Sequence, residues 1–356
     1  MKTIKKIAKN VLKKGEKYIY HKEHNLEAFR MMRLTESYKG KLTSKNKKLC
    51  TEYALDVFGH KKYAPWLMSY CSFTNEFKEG WIPDNYYGEF VVPHYKGDYG
   101  KICDRSSIIN KVLNDKYSSD IGYFINGLLF NQINEVLAPN KFKDHLFKNE
   151  ERIVFKIENS LQGKGVYFFD KNTFDINKIR KLGNGVFQRF IIQHSFFNQF
   201  NDSALSTIRL TSVCDDDGKI EVRAGYFRFG RKGDSHVISS RQMRIPIDIK
   251  NGCLWNIRLA FYPKSEFTEK LPDSDIDFPG MKLPVFEHCI SEIKRLHALI
   301  PFIRCIGWDV IVDNNNNLRI IELNGGHNGI TFNEMVQGPC FRDLGWEKLN
   351  KKQNLS

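Results

Sequence analysis

The chain has 356 residues, of which 41% are hydrophobic and 27% charged, and a formal net charge of +14, enough for two or three lobes with cores of their own. No run of about eighteen apolar residues reaches across a bilayer, the first residues lack the apolar core and cleavage site of a secretory signal, and the eight cysteines form no C-x-x-C pair or zinc spacing, so a reduced cytoplasmic protein is expected. The basic excess points to an anionic partner, a membrane surface or an anionic sugar, and with no RNP-like or zinc-finger frame among the aromatics no nucleic-acid partner is expected.

At the start, MKTIKKIAKNVLKKGEKYIY places Ile4, Ile7, Ala8, Val11 and Leu12 on one helical face and Lys2, Lys5, Lys6, Lys9 and Lys13 largely around the other. This is an amphipathic helix, and Gly15 cuts it short. Its stripe either packs on the protein's own core or lets residues 1–20 lie on anionic lipid, at the inner membrane surface. Helices continue to about Lys78. The stretch from Trp81 to Gly100, rich in Pro, Gly and Tyr, reads as a connector with short strands, and a helix with a serine at its start begins at Ser106.

A smaller α+β lobe follows, from about Ile121 to Phe190. Within it ERIVFKIENSLQGKGVYFF, from Glu151, is an apolar strand with Lys156 in mid-run, a polar loop with Gly163, Lys164 and Gly165, and a second strand. A lysine in an apolar strand is expensive to bury unless an anion meets its ammonium. The loop glycines let backbone N–H groups approach phosphate oxygens, and Lys164 adds charge to such a cradle. Next, VFQRFIIQH (Val186 to His194), with Gln188, Arg189, Phe190 and Ile191, is a short strand of the sort that lines an adenine pocket.

In the larger lobe, PVFEHCISEIKRLHALIP spaces Phe286, Cys289, Ile290, Ile293 and Leu296 as a helix ended by Pro301. His288 and His297 on it read as surface or core residues. The last strong signal is GWDVIVDNNNNLRIIELNGGHNG, Gly307 to Gly329: two strands joined by the polar turn Asp313 to Asn317. Asp309 lies on the first strand. Glu322 and Asn324, two apart, share a face of the second, with Ile321 and Leu323 packing behind. Asp309, Glu322 and Asn324 are hard oxygen ligands suited to Mg²⁺ beside a nucleotide phosphate. His327 follows, where a neutral imidazole can take a proton from an attacking amine.

Taken in order, Lys156, the GKG loop, the 186–194 strand and the Asp309…Glu322-x-Asn324 pair resemble the ATP-grasp superfamily. SALSTIRLTSV (Ser203 to Val213), YFRFGRKGDSHV (Tyr226 to Val237) and IDIKNG (Ile247 to Gly252) look like its sugar-transfer-associated branch, found among polysaccharide biosynthesis functions. The likeness spans roughly Tyr99 to Phe341. It implies an α+β ATP-grasp fold with two lobes gripping ATP behind an N-terminal helical region, divided near residues 1–100, 101–190 and 191–356.

By resemblance, Lys156 contacts ATP, the loop of Ser160, Gln162, Gly163, Lys164 and Gly165 covers the phosphates, and Asp309, Glu322 and Asn324 hold Mg²⁺. Arg209 and Arg228 would face the transferred phosphate or an anionic acceptor, which suits a guanidinium fork. Two features depart from the family. Gln188 stands where a glutamate is frequent, and no clear acid serves the ribose, leaving Gln193, His194 and Asp202; Lys101 and Arg105 compete for the lysine before the smaller lobe. The implied activity is ADP-forming ligation, in which a carboxylate becomes an acyl phosphate and an amine displaces phosphate. Its partners would be a carboxylated sugar or sugar nucleotide of a capsule or O-antigen and an amine donor. A sugar or polyol kinase, and a non-catalytic scaffold of glycan assembly, are the alternatives.

Overall fold

The computed structural model describes residues 2–113, 115–158, 165–231, 242–260, 265–268, 271 and 276–352. They group into two units, residues 1–95 with 329–356, and residues 96–328.

The first unit is helical, with α1 (Lys2–Lys39), α2 (Ser44–Asp56) and α3 (Ala64–Thr74). Contrary to expectation, α1 runs straight through Gly15. One glycine costs a helix only about 1 kcal/mol against alanine, and the later turns of α1 bury Ala28, Met31 and Thr35, which offsets that loss. Thr43 caps α2 by accepting the Asn46 N–H at 3.2 Å. The stretch expected to carry short strands holds helical turns instead, Asp84–Tyr86, a π turn over Tyr87–Val91, and Val92–Tyr95. Tyr86 and Tyr87 are fully buried there; two consecutive large rings taken from water hold the segment against the core, where Tyr87 meets Trp346 at 5.7 Å between rings.

Residues 329–356, which the sequence reading runs on with the larger lobe, thus pack in the first unit. Phe341 stacks on Trp346 at 5.0 Å, and the wholly buried Glu334 carboxylate accepts the N–H groups of Ile82 (2.9 Å) and Cys340 (2.8 Å). Its backbone carbonyl accepts the Trp81 indole N–H at 2.8 Å. Loss of hydration pushes Glu334 up to about 8, against backbone N–H bonds that pull it down. An acid raised in the folded state stabilises most when the unfolded chain is also protonated, below its ordinary pKa of 4.5, and loses that contribution as pH climbs toward about 8. Glu334→Ala, which strands two buried N–H donors, is expected to cost about 3 kcal/mol in urea denaturation. The gap between wild type and variant should narrow between pH 5 and 8; a gap that widens would contradict the protonated carboxyl.

The second unit holds two antiparallel sheets. The smaller has the order β2-β1-β5-β3-β4, from β1 (Asp120–Ile125), β2 (Leu128–Asn131), β3 (Arg152–Ile157), β4 (Val166–Asp170) and β5 (Gly185–Arg189). Phe142, Phe155, Phe169, Phe174 and Phe187 fill its core with Ile153 and Ile179. The larger has the order β10-β9-β8-β7-β6-β11-β12, from β6 (Thr207–Cys214), β7 (Ile220–Phe229), β8 (Met243–Pro246), β9 (Arg258–Ala260), β10 (Glu266–Thr268), β11 (Cys305–Val312) and β12 (Leu318–Asn324).

The predicted helix forms as Phe286–His297 and buries Phe286, Cys289, Ile293 and Leu296 in that sheet's core. His297, wholly buried, donates from Nε2 to the Ile303 carbonyl (2.9 Å) and meets the Ser212 hydroxyl at Nδ1 (2.7 Å); burial pulls it down to about 4, a neutral core imidazole. His288 is exposed. The Ser106–Val112 helix also forms, but without a side-chain cap. Instead Ser107 donates to Glu158 at 2.7 Å.

Candidate functional site

β11 is buried along its whole length between β6 and β12. Its register sets Asp309 opposite Arg209 on one side and Glu322 on the other. Between Asp309 and Val310 the pairing steps from Glu322 to Ile320, leaving Ile321 as a bulge. The simple alternation therefore fails here: Ile320 and Leu323 are buried, while Ile321 is only partly covered.

Asp309 has no exposed surface. Arg209 forks onto it, Nε to Oδ1 at 2.5 Å and Nη2 to Oδ2 at 2.7 Å, and Arg228 Nη2 reaches Oδ2 at 3.1 Å. Burial favours the neutral acid, but the two guanidinium charges outweigh it and hold Asp309 well below the usual carboxylate range. Arg228 is fixed further by its Nε–H bond to Thr207 Oγ1 (2.9 Å). Both arginines are thus engaged with Asp309 rather than pointing at open space.

Glu322 differs from its neighbour. It is reached by solvent, and among the described residues no hydrogen bond occupies its carboxylate. The protein packed around it and the Asp309 charge push its pKa up, while Arg209, Arg228 and Lys156 pull it down. The Asn324 amide donates to the Gly307 carbonyl at 3.3 Å, which leaves its oxygen for another partner. Among the described residues no three His, Cys, Asp or Glu side chains converge as metal ligands. Two carboxylates and an amide nevertheless fit Mg²⁺, which keeps several waters and is completed by substrate phosphates; the uncommitted Glu322 oxygens supply the open ligand.

Lys156, on β3 of the smaller sheet, lies within electrostatic reach of this pair. Desolvation lowers its pKa against the raising charges of Asp120, Glu322 and Asp309. Asp120, a site residue the sequence reading missed, is buried on β1 and accepts Asn110 Nδ2 (2.8 Å) and Gln188 Nε2 (2.7 Å); burial pushes it up. Its signal was an acid at the head of the apolar run DIGYFI.

Lys96 was also missed. It is 2% exposed and donates to the Gly326 carbonyl (2.5 Å) and Asn328 Oδ1 (3.0 Å), while the Asn328 carbonyl accepts Arg209 Nη1 at 3.2 Å. Burial brings Lys96 down to about 8. The glycines after β12 make this possible: a Cβ on Gly325 would sit 2.5 Å from the Gly100 carbonyl. A third arginine, Arg244, lies over the Tyr226 ring at 5.1 Å. The buried phenol is lowered, since Arg244, Arg209 and Arg228 together overcome desolvation.

The other predicted residues are spread more widely. Ser160, Gln162, Gly163 and Lys164 lie outside the described residues, as does 232–237; Gly165 accepts the Ile157 N–H at 2.9 Å as β4 begins. β5 ends at Arg189, which pairs with Glu150 at 3.0 Å. Phe190 is 41% exposed under Arg152, and Ile191 is partly covered. Arg105 lies 3.6 Å from Glu158, whereas Lys101 makes a surface pair with Asp98 at 2.5 Å. Gln193 is spent on Asn198 and the Asn201 and Ser206 backbones, and His194 caps a helical turn through Phe196 N–H. Asp202 and His327 are exposed.

Two sheets, a strand lysine and a carboxylate pair on neighbouring strands are the parts that the sequence resemblance implies. Residues 179–347 match the family of sugar-transfer associated ATP-grasp. No curated protein matches the chain. Solved structures overlap it loosely. The N5-carboxyaminoimidazole synthetase from Staphylococcus aureus complexed with ADP is 12% identical, over 61% of this chain and 43% of that one, with a TM-score of 0.36. The ATP-grasp ligase PsnB complexed with minimal precursor is 10% identical over 89% and 77%, TM-score 0.40. Biotin carboxylase from Campylobacter jejuni is 12% identical over 68% and 45%, TM-score 0.41. The chain thus spans less than half the length of two of these three.

The unequal burial of the two carboxylates separates their mutational effects. Asp309→Asn leaves two guanidinium groups without their counter-ion and should cost about 3–5 kcal/mol of stability, so activity lost in that variant mixes folding with chemistry. Glu322→Gln should cost less than about 1 kcal/mol. Paired urea melts check this, and equal losses would contradict the ion-pair geometry.

Proposed function

We propose that the chain is an ATP-dependent ligase that activates the carboxylate of an anionic, carboxylated sugar or sugar nucleotide and joins it to an amine, in the making of a surface polysaccharide. One observation carries the reading: Asp309 lies between Arg209 and Glu322 on neighbouring strands of the larger sheet, bonded to Arg209 and Arg228, with Lys156 of the smaller sheet in the same unit. The family match over residues 179–347 supports it.

On this reading Lys156, the loop of Ser160, Gln162, Gly163, Lys164 and Gly165, and Gln188, Arg189, Phe190 and Ile191 would bind ATP. Glu322, Asn324 and Asp309 would hold Mg²⁺, which when bound would neutralise charge on the γ-phosphoryl group. Arg209 and Arg228 fix the Asp309 carboxylate and, with Arg244, leave a positive field that draws in the anionic acceptor. The acceptor carboxylate oxygen takes the γ-phosphoryl group as ADP leaves, giving an acyl phosphate. The amine then attacks the carbonyl carbon and inorganic phosphate departs, with the amine proton passing to solvent or to the exposed His327.

ADP release from Mg-ATP, measured over a panel of uronic acids and their nucleotide-linked forms with hydroxylamine as trap, tests this. Hydroxamate should form in step with ADP, and Glu322→Gln should reduce it at least about a hundredfold. Lys156→Met should weaken ATP binding about tenfold or more. A stable phosphosugar without hydroxamate would replace the ligase by a kinase.

A further inference from the structure

The first unit carries a surface that its own core leaves uncovered. On α1, Leu12, Tyr18, Ile19, Leu26 and Phe29 are 67%, 69%, 55%, 60% and 37% exposed. At about 100° per residue they fall in one sector, about a third of the helix circumference. Single exposed apolar residues are ordinary, but five of the large ones on one face of one helix form a pattern.

Beside this sector lies an open cavity of about 570 Å³, lined by Lys14, Lys17, Lys22, Lys62, His21 and His60 among others, and by no carboxylate. Glu89 sits beneath it, its side chain 8% exposed, and anchors Lys17 (3.1 Å), His21 (3.0 Å) and Lys62 (3.2 Å) from within. One buried acid thus gathers three of the basic groups without cancelling them. Burial and the nearby Lys62 hold His60 below its ordinary pKa, a sign of a positive local field. On the other flank of the apolar sector α1 carries Glu16, Glu23 and Glu27, all exposed, with Arg30 paired to Glu27 at 2.6 Å. Among the described residues no helix is long and apolar enough to cross a membrane.

We propose that this face docks the protein on an anionic bilayer surface, with Leu12, Tyr18, Ile19, Leu26 and Phe29 entering the interface, the lysines of the cavity meeting lipid phosphates, and Glu16, Glu23 and Glu27 turned to water. Apolar residues interleaved with cations are what such a surface binds. Charge favours an anionic bilayer over a second copy: Lys22 and Arg33 lie in the same sector, and an isologous contact would gather both copies' cations into one interface in a chain that is already +14. The docking rests on the first unit and is independent of the chemistry proposed for the second.

The test is co-sedimentation of the full chain with vesicles of phosphatidylcholine alone and with one-third phosphatidylglycerol. Binding is expected only to the anionic vesicles and should weaken steeply with salt. The pairs Lys14→Glu with Lys22→Glu, and Ile19→Ser with Leu26→Ser, should each cut it by more than about tenfold while melting like wild type, since all four side chains are exposed or line an open cavity. Equal binding to neutral vesicles, absence of binding by wild type, or undiminished binding by either pair would overturn the proposal. So would a dimer in light scattering that the Ile19→Ser, Leu26→Ser pair dissolves, because the face would then belong to a second copy.

Discussion

A buried carboxylate between two arginines is the constraint on which the second unit depends. Asp309 lies on a strand with no exposed residue, and a charge taken that far from water is costly unless it is paired and hydrogen-bonded. Arg209 and Arg228 meet that demand from β6 and β7. Because side chains alternate along a strand, a slip of one residue in either pairing would turn a guanidinium to the opposite face. The ion pair thereby fixes the register of three strands at once, and through β12 it fixes Glu322.

The same arrangement divides work between two acids that look equivalent in the sequence. Asp309 is neutralised internally and acts as a fixed element of the scaffold as much as a ligand. Glu322 keeps its oxygens uncommitted and feels Lys156 from the other sheet. Lys96 extends the scaffold backward: its ammonium holds the backbone and side chain of the loop after β12, and that loop in turn holds Arg209. Three arginines and two lysines around two carboxylates and Asp120 leave the site net positive, a suitable field for polyanionic reactants.

What could be read from the sequence was what local spacing encodes. The Asp309, Glu322 and Asn324 pattern, the strand bearing Lys156 and the helix with Cys289 and Ile293 rest on periods of two and 3.6, and the strands and helix form where those periods place them. The partners of Asp309 could not be read, because Arg209 is 100 residues away in the chain and strand pairing at that distance leaves no local mark. The bulge at Ile321 shifted the buried set by one residue for a related reason: a bulge answers to the neighbouring strand. Gly15 and the Trp81 to Gly100 stretch misled because breaker residues were weighed without the burial that overrules them. Residues 329–352 pack with the N-terminal helices through contacts distant in sequence, Glu334 with the N–H of Ile82 and Trp346 with Tyr87, which no linear reading reveals.

Gln188 shows how an amide on one strand can serve a buried acid on the next. A glutamate at that position would lie 2.7 Å from the Asp120 carboxylate, where the Gln188 amide now donates, and two buried carboxylates at that distance cannot both ionise. An amide removes the conflict and supplies the donor that Asp120 needs. The acid within electrostatic reach of Lys156 is thus Asp120 on β1, next to β5. In this chain positions 188 and 120 are therefore coupled: the buried Asp120 carboxyl takes its donor from the Gln188 amide, and an acid in place of that amide would remove it.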